Sequence, residues 1–279
     1  MASTAAETGP AVDAPGVLSR NWAQPLVDAA LAGQPAPLSS AESAAMIAAT
    51  EQALARFDSE PGRLPRRPQM LPQLLSTLND DDASGRDITM IIARDPALAA
   101  NLLALANSAL YRSQPTPVES LDRAVAQVGT DGLRQLVAVA LMQPVMRVEG
   151  GIFGRLPELL WDHTQHAAQA AAQFARTIER EDAFAAQLLA LLHGLGAIVV
   201  VQALRETSAR QQPTAPPEAA SVAALLQREA PRIARRVARE WDLSERLMCA
   251  LDDQALDDLA AMGGLGRALA VGAARVRIR

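Results

Sequence analysis

The sequence predicts an all-α protein, and three observations predict it. The 279 residues are 49% hydrophobic but only 3% aromatic, so the apolar mass is Ala, Leu and Val, and Ala and Leu lead the helix scale. Apolar residues recur at helical spacing from Leu71 onward. Sustained alternation of period two, the signature of a half-buried strand, occurs only in the closing ARVRIR. The length suits one large or two small domains.

Residues 1–62 read as an N-terminal extension. Met1 to about Pro37 is rich in Ala, Pro, Gly, Ser and Thr, the composition of a largely disordered segment, in which Trp22–Leu31 is a candidate docking helix. Ser39 and Glu42 form a capping-box pattern that opens a helix running to about Phe57. Pro61-Gly62 ends it, and Pro65 and Pro68 make a linker.

Residues 63–260 carry the regular pattern. Leu71, Leu74, Leu75 and Leu78 make one helical face, Asn79–Asp82 a solvated turn, and Ile88, Ile91 and Ile92 the next face. Asp95-Pro96 is a helix start, Asp as N-cap and Pro at the first position. Ser120 caps a helix that Gly129 stops, and Thr130 caps another running towards Pro144. After a loop with Gly150, Gly151 and Gly154, Pro157 opens a long helix bearing His163 and His166. A core helix follows from Glu181 to Arg205. Beyond the Pro-rich loop Gln211–Pro217, helices are expected near Ser221–Gln227, Pro231–Glu240 and Ser244–Asp253. Residues 261–279 form a Gly/Arg-rich tail with no assigned element.

The core helix organises the rest. Between Asp182 and Arg205 there is no formal charge, and a helix apolar nearly all round must be surrounded by protein or lipid. Its central His, its Gln residues and its two Gly favour a buried core helix over a membrane span. His193-Gly194-Leu195-Gly196 places a titratable group in its middle, beside two residues that let other backbone come close. Such a buried polar group needs a hydrogen-bond partner or a ligand.

Several function classes are excluded. All 26 basic residues are Arg and none is Lys, which removes the P-loop lysine, the Schiff-base lysine and the lysine of protein kinases. The net charge of −5 disfavours nucleic acid as a bulk partner. The one cysteine, Cys249, excludes an internal disulfide and fits a reducing compartment. The residues before Arg20 hold neither a basic nor an apolar leader region, so no signal peptide is expected. The expected location is cytoplasmic. Cys249 is expected to be a small buried hydrophobe.

The histidines are three: His163, His166 and His193. The first two lie three apart on one helix and so share a face. Three imidazoles could bind a transition metal. The plainer reading makes His163 and His193 hydrogen-bonded core groups and His166 a surface residue. Arg228, Arg232, Arg235, Arg236 and Arg239 lie along one side of a helix whose other side carries Ile233, Val237 and Trp241, with Pro231 able to drop Arg228 from the set. They form a solvated face or, in the sharper reading, a site in which Arg232, Arg235, Arg236 and Arg239 meet an acidic protein, a nucleotide phosphate or nucleic acid.

A family resemblance covers about Leu64 to Leu256. It is carried by Leu71-Pro72, Asp95-Pro96-Ala97-Leu98, the run Leu105-Ala106-Asn107-Ser108-Ala109-Leu110-Tyr111, Ser120-Leu121, Ala124-Val125 and Val128-Gly129. Leu160-Trp161-Asp162-His163-Thr164, Ala183-Phe184 and Leu191-Leu192-His193-Gly194-Leu195-Gly196 continue it in order. In these residues the chain resembles the HDOD domain family. The resemblance implies a bacterial regulatory module: an N-terminal helical bundle packed on a degenerate HD-phosphohydrolase-like helical half. It matches His163 to the first metal-binding His of HD hydrolases and His193 to the second. Gly194 then stands where the motif has its Asp, and glycine supplies neither charge nor ligand oxygen. The expectation is a non-catalytic signalling or scaffold module with protein partners, no cofactor and no membrane contact. The alternatives are a metal-dependent phosphohydrolase using His163, His166, His193 and a carboxylate such as Asp162, or a nucleotide sensor that keeps the old pocket for binding alone. Asn107 and Ser108, where the match is tightest, are expected to serve the helix end rather than a ligand.

Overall fold

The computed structural model describes residues 21–56, 64–65, 71–78, 84–93, 96–108, 112, 116–121, 123–124, 138 and 153–276. Ten α-helices are described: α1 Ala23–Leu31, α2 Ser40–Ala55, α3 Leu71–Leu78, α4 Gly85–Ile92, α5 Pro96–Ala106, α6 Leu156–Phe174, α7 Ala183–Gln211, α8 Ala219–Glu240, α9 Glu245–Asp252 and α10 Gly264–Arg275. No strand occurs among the described residues. Apart from Ala138, the expected helix after Thr130 lies outside them, as do the cap at Asp95, the turn at Asn79–Asp82, the loop glycines Gly150 and Gly151, and residues 1–20 and 277–279.

Helix α7 is the axis of the C-terminal half. It is long and apolar enough to cross a membrane by length and composition. In this fold every residue from Ala186 to Val201 is buried by protein. Asp182 starts it by accepting hydrogen bonds from the Phe184 and Ala185 amides, which satisfies two of the donors a helix start leaves free. Helices α6, α8, α2 and α10 pack around it. Its two central glycines set the spacing on two sides. A Cβ at Gly194 would enter the Thr164 side chain of α6, and one at Gly196 would meet Ala230 and Ala234 backbone of α8.

Helix α8 is amphipathic, with Val222, Leu225, Leu226, Ile233, Ala234 and Val237 buried. It runs unbroken through Pro231, which corrects the expectation of two helices. A proline removes one intrahelical bond, and burial of its ring together with Ala230, Ile233 and Ala234 outweighs that loss. Trp241 closes the helix and donates from Nε1 to the Pro65 carbonyl at 2.9 Å, tying the C-terminal half to the residues ahead of α3.

The N-terminal extension packs on this body. Ser39 and Glu42 form the expected capping box of α2, and α2 is fastened to the start of α8. Leu38 donates to the Pro216 carbonyl, Glu218 N–H to Ser43 Oγ, and Ser40 Oγ to Glu218. Arg228 also pairs with Glu51 of α2. Helix α1 lies against α8 and α6 through Ala23, Leu26, Val27 and Ala30.

Two further readings are corrected. Gly264–Arg275 is a helix with Leu265, Ala268, Leu269 and Val271 buried. Gly272 is pressed so close to α6 that a Cβ there would lie 2.7 Å from the Ala167 carbonyl oxygen and 2.8 Å from the Ala171 Cβ. Glycines that read as breakers are therefore contact points, and the tail belongs to the core. Cys249 is exposed, because Leu247, Ala250 and Leu251 take the buried face of α9.

Candidate functional site

The site forms where three elements meet. His163 comes from the buried side of α6, His193 from the middle of α7, and Trp22 from the residue that precedes α1. The Trp22 ring stacks on His163 with centroids 5.4 Å apart and planes 21° apart. It meets His193 edge-on at 5.1 Å and 72°. All three are buried, and such aromatic arrangements add to simple area burial. Beside them a small void of about 10 Å³ is lined by Trp22, His193, Gln227, Gln254, Ala270 and Ala273.

The electrostatics of both imidazoles follow from burial. Desolvation, then the nearby His166, pushes His163 down to about 4. Desolvation, then His163, pushes His193 down to about 3. Both are neutral at pH 7. Neither ring nitrogen of His163 has a hydrogen-bond partner among the described residues, so the expectation of a hydrogen-bonded core group fails there. What holds His163 is the face of Trp22.

His166 is exposed, and its Nδ1 lies 2.7 Å from the Asp162 carbonyl oxygen. Three positions along a helix separate two side chains by about 60°, which here puts one inside and one outside. The structure therefore does not join His166 to the two buried histidines. Asp162 is likewise exposed. No group of three or more His, Cys, Asp or Glu side chains suited to a metal ion occurs among the described residues.

Thr164 completes the wall. Its Oγ1 donates to the Leu160 carbonyl at 2.6 Å, which fixes its rotamer against Gly194. Position 194 thus lacks a carboxylate and also lacks room for one.

Four arginines of α8 contact other groups of the chain. Arg235 Nε donates to Asp252 at 2.7 Å, Arg236 to the Leu54 carbonyl at 3.3 Å, and Arg232 pairs with Glu229 at 3.2 Å. Arg239 is exposed. Arg228 stays on the same helix and reaches Glu229 as well as Glu51. Asn107 joins the end of α5 to the following loop: Nδ2 donates to Leu103 and Val118 carbonyls, and its Oδ1 accepts from Val118 N–H at 2.6 Å. That is the structural role expected of it.

The model of the HDOD domain matches residues 64–255, more than half of the chain. The chain belongs to the HDOD domain family. Solved structures share the fold. An HDOD domain protein with unknown function from Geobacter sulfurreducens is 20% identical, with TM-score 0.56, covering 82% of this chain and 76% of that one. A Shewanella amazonensis protein, named provisionally as a metal-dependent phosphohydrolase, is 22% identical with TM-score 0.55, covering 79% of each chain. Another from the same organism, named provisionally as a phosphohydrolase, is 23% identical with TM-score 0.54, covering 79% of this chain and 78% of that one. No curated protein matches the sequence. The HDOD match begins after α2, so Trp22 lies outside the part that family resemblance could interpret.

An HD-type metal does not fit the residues present. Of the ligands the motif supplies, His163 is stacked on an indole, the aspartate position is Gly194, and Thr164 fills the space beside it.

Proposed function

We propose that the protein is a non-catalytic HDOD regulatory module that acts through contacts with partner proteins. One observation carries the reading: the ring of Trp22 lies on His163 and His193, the two positions that match the metal-binding histidines of HD hydrolases. A catalytic metal needs about three protein ligands and an open coordination position, and no such group of three occurs among the described residues. The site offers neutral imidazoles packed against an indole. A nucleotide in the same place would require Trp22 to leave first, and among the described residues no arginine lines the void to meet a phosphate.

Equilibrium dialysis of the purified protein against Mn²⁺, Fe²⁺ and Zn²⁺ tests this, with His163→Ala and His193→Ala as controls. The expected result is no stoichiometric metal. Metal bound at one equivalent and lost in both variants would overturn the reading and make a phosphodiester and phosphomonoester screen the next step. A nucleotide-dependent rise in melting temperature would favour a sensor instead.

A further inference from the structure

We propose that the groove between α6 and α8, filled here by α1, is a docking site for a short amphipathic helix of a partner protein, with Trp22 holding the place of the partner's aromatic anchor. This deepens the non-catalytic reading and rests on it for treating the histidine pocket as a contact surface.

Helix α1 has the character of a bound ligand rather than of a scaffold element. It is nine residues long, and a helix that short does not hold itself together in water. It is helical because the groove receives it. Its side-chain hydrogen bonds stay local: Asn21 Oδ1 accepts from Gln24 N–H at 3.1 Å, and Gln24 Nε2 donates to Asp28 at 2.9 Å. Among the described residues its hold on the body is apolar, through Trp22, Ala23, Leu26, Val27 and Ala30. Helix α2 is fastened differently, by the bonds of Leu38, Ser40 and Ser43 to the start of α8. Between the two runs a linker of eight residues, 32–39. Its exposed stretch 32–37 includes Pro35, Pro37 and Gly33, whose φ of 79° is open to glycine at no steric cost. α1 can therefore leave while α2 and the body stay as they are.

The groove specifies its occupant. An aromatic ring enters between His163 and His193, and apolar residues follow one, four, five and eight positions later. This is the helix-in-groove pattern, read as anchors on one helical face. A small planar ligand would fill only the place of Trp22 and leave the contacts of Leu26, Val27 and Ala30 bare. A second helix of the same pattern covers all of them. The tethered α1 then acts as a competitor at high effective concentration, which a partner must outbid.

The test uses the full-length protein and a fluorescein-labelled peptide of residues 21–33 as the probe helix, read by anisotropy. The native peptide should bind. A Trp22→Ala peptide should bind at least about tenfold more weakly, as for a buried aromatic anchor. Trp22→Ala in the full-length chain weakens the tethered competitor and should tighten binding of the native peptide by about tenfold or more. No binding to either chain, or equal binding of both peptides, would overturn the proposal. If the Trp22→Ala chain fails to fold, hydrogen exchange on the unsubstituted protein decides. Amides of α1 exchanging about a hundredfold or more faster than those of α7 support a separable α1, and equal protection overturns it. A concentration-dependent dimer formed by exchange of α1 between copies would overturn the partner in favour of a second copy. Stoichiometric metal would sink the non-catalytic reading on its own, whereas failed peptide binding without metal would sink only the docking site.

Discussion

A Cβ built on Gly194 falls inside the side chain of Thr164, 2.8 Å from its Cβ and closer still to its Oγ1 and Cγ2. The residue at the aspartate position of the HD motif is thus a packing surface between α6 and α7. Thr164 cannot swing away freely, since its hydroxyl is spent on the Leu160 carbonyl.

Gly194→Ala should therefore destabilise. In an open helix the change would gain about 1 kcal/mol; here overpacking should cost about 1–3 kcal/mol. Combining it with Thr164→Ala should recover part of that loss, giving a coupling of at least about 0.5 kcal/mol in a double-mutant cycle. Urea denaturation of the four proteins measures it, and strict additivity would refute the contact.

Gly196→Ala should be worse than Gly194→Ala. Its Cβ would lie 2.9 Å from the Ala234 amide nitrogen and closer to the Ala230 carbonyl oxygen. These are backbone atoms of α8 and have no rotamer to change. The loss should reach or exceed the upper end of about 1–3 kcal/mol, seen as a lower urea midpoint than that of Gly194→Ala.

His163→Phe should be neutral or stabilising at pH 7. Both ring nitrogens of His163 are buried without partners among the described residues, a burden of about 1–3 kcal/mol for such polar groups. Phenylalanine keeps a flat ring for Trp22 to stack on. A large loss of stability in thermal or urea unfolding would show that the imidazole makes a polar contact essential to the fold.

Acid should weaken the fold before the carboxylates titrate. The ordinary histidine value is 6.5, and in the folded chain His163 and His193 sit near 4 and 3. Below pH 6.5 the unfolded chain takes up protons that the folded chain refuses, so stability is full above 6.5 and falls as pH drops towards 4. Each histidine contributes a slope of about 1.4 kcal/mol per pH unit. Glu179, held down by its hydrogen bonds to Arg267, adds its own loss only below the ordinary carboxylate value of 4.5. Urea midpoints between pH 7 and 5 isolate the histidines, and His163→Phe should remove about half of the slope.

Much of this was legible in the residues. The capping box at Ser39 and Glu42, the buried α7 and the loop from Gln211 follow from local chemistry, which one segment of chain carries by itself. The misses were of two kinds. Pro231 and the glycines of α10 are breakers by propensity, and tertiary burial overrode propensity in both places. The site itself needed a contact between Trp22 and His163, 141 positions apart in the chain. Neither residue signals the other, because an aromatic at the edge of a short amphipathic segment reads the same whatever it stacks on. The arginine stripe of α8 was visible as a pattern, but its contacts within the chain were not: only the fold brings Asp252 and the Leu54 carbonyl to Arg235 and Arg236.

The central claim is that Trp22 occupies the histidine pocket, and side-chain NMR of the full-length protein tests it most directly. The account predicts cross-relaxation from the Trp22 indole to ring protons of both His163 and His193, and two imidazoles that stay neutral from pH 8 down to about pH 5, given their depressed values. Trp22→Ala should release both towards the ordinary value. Absence of those cross-peaks, with His163 and His193 titrating near 6.5 in the unsubstituted protein, would contradict it.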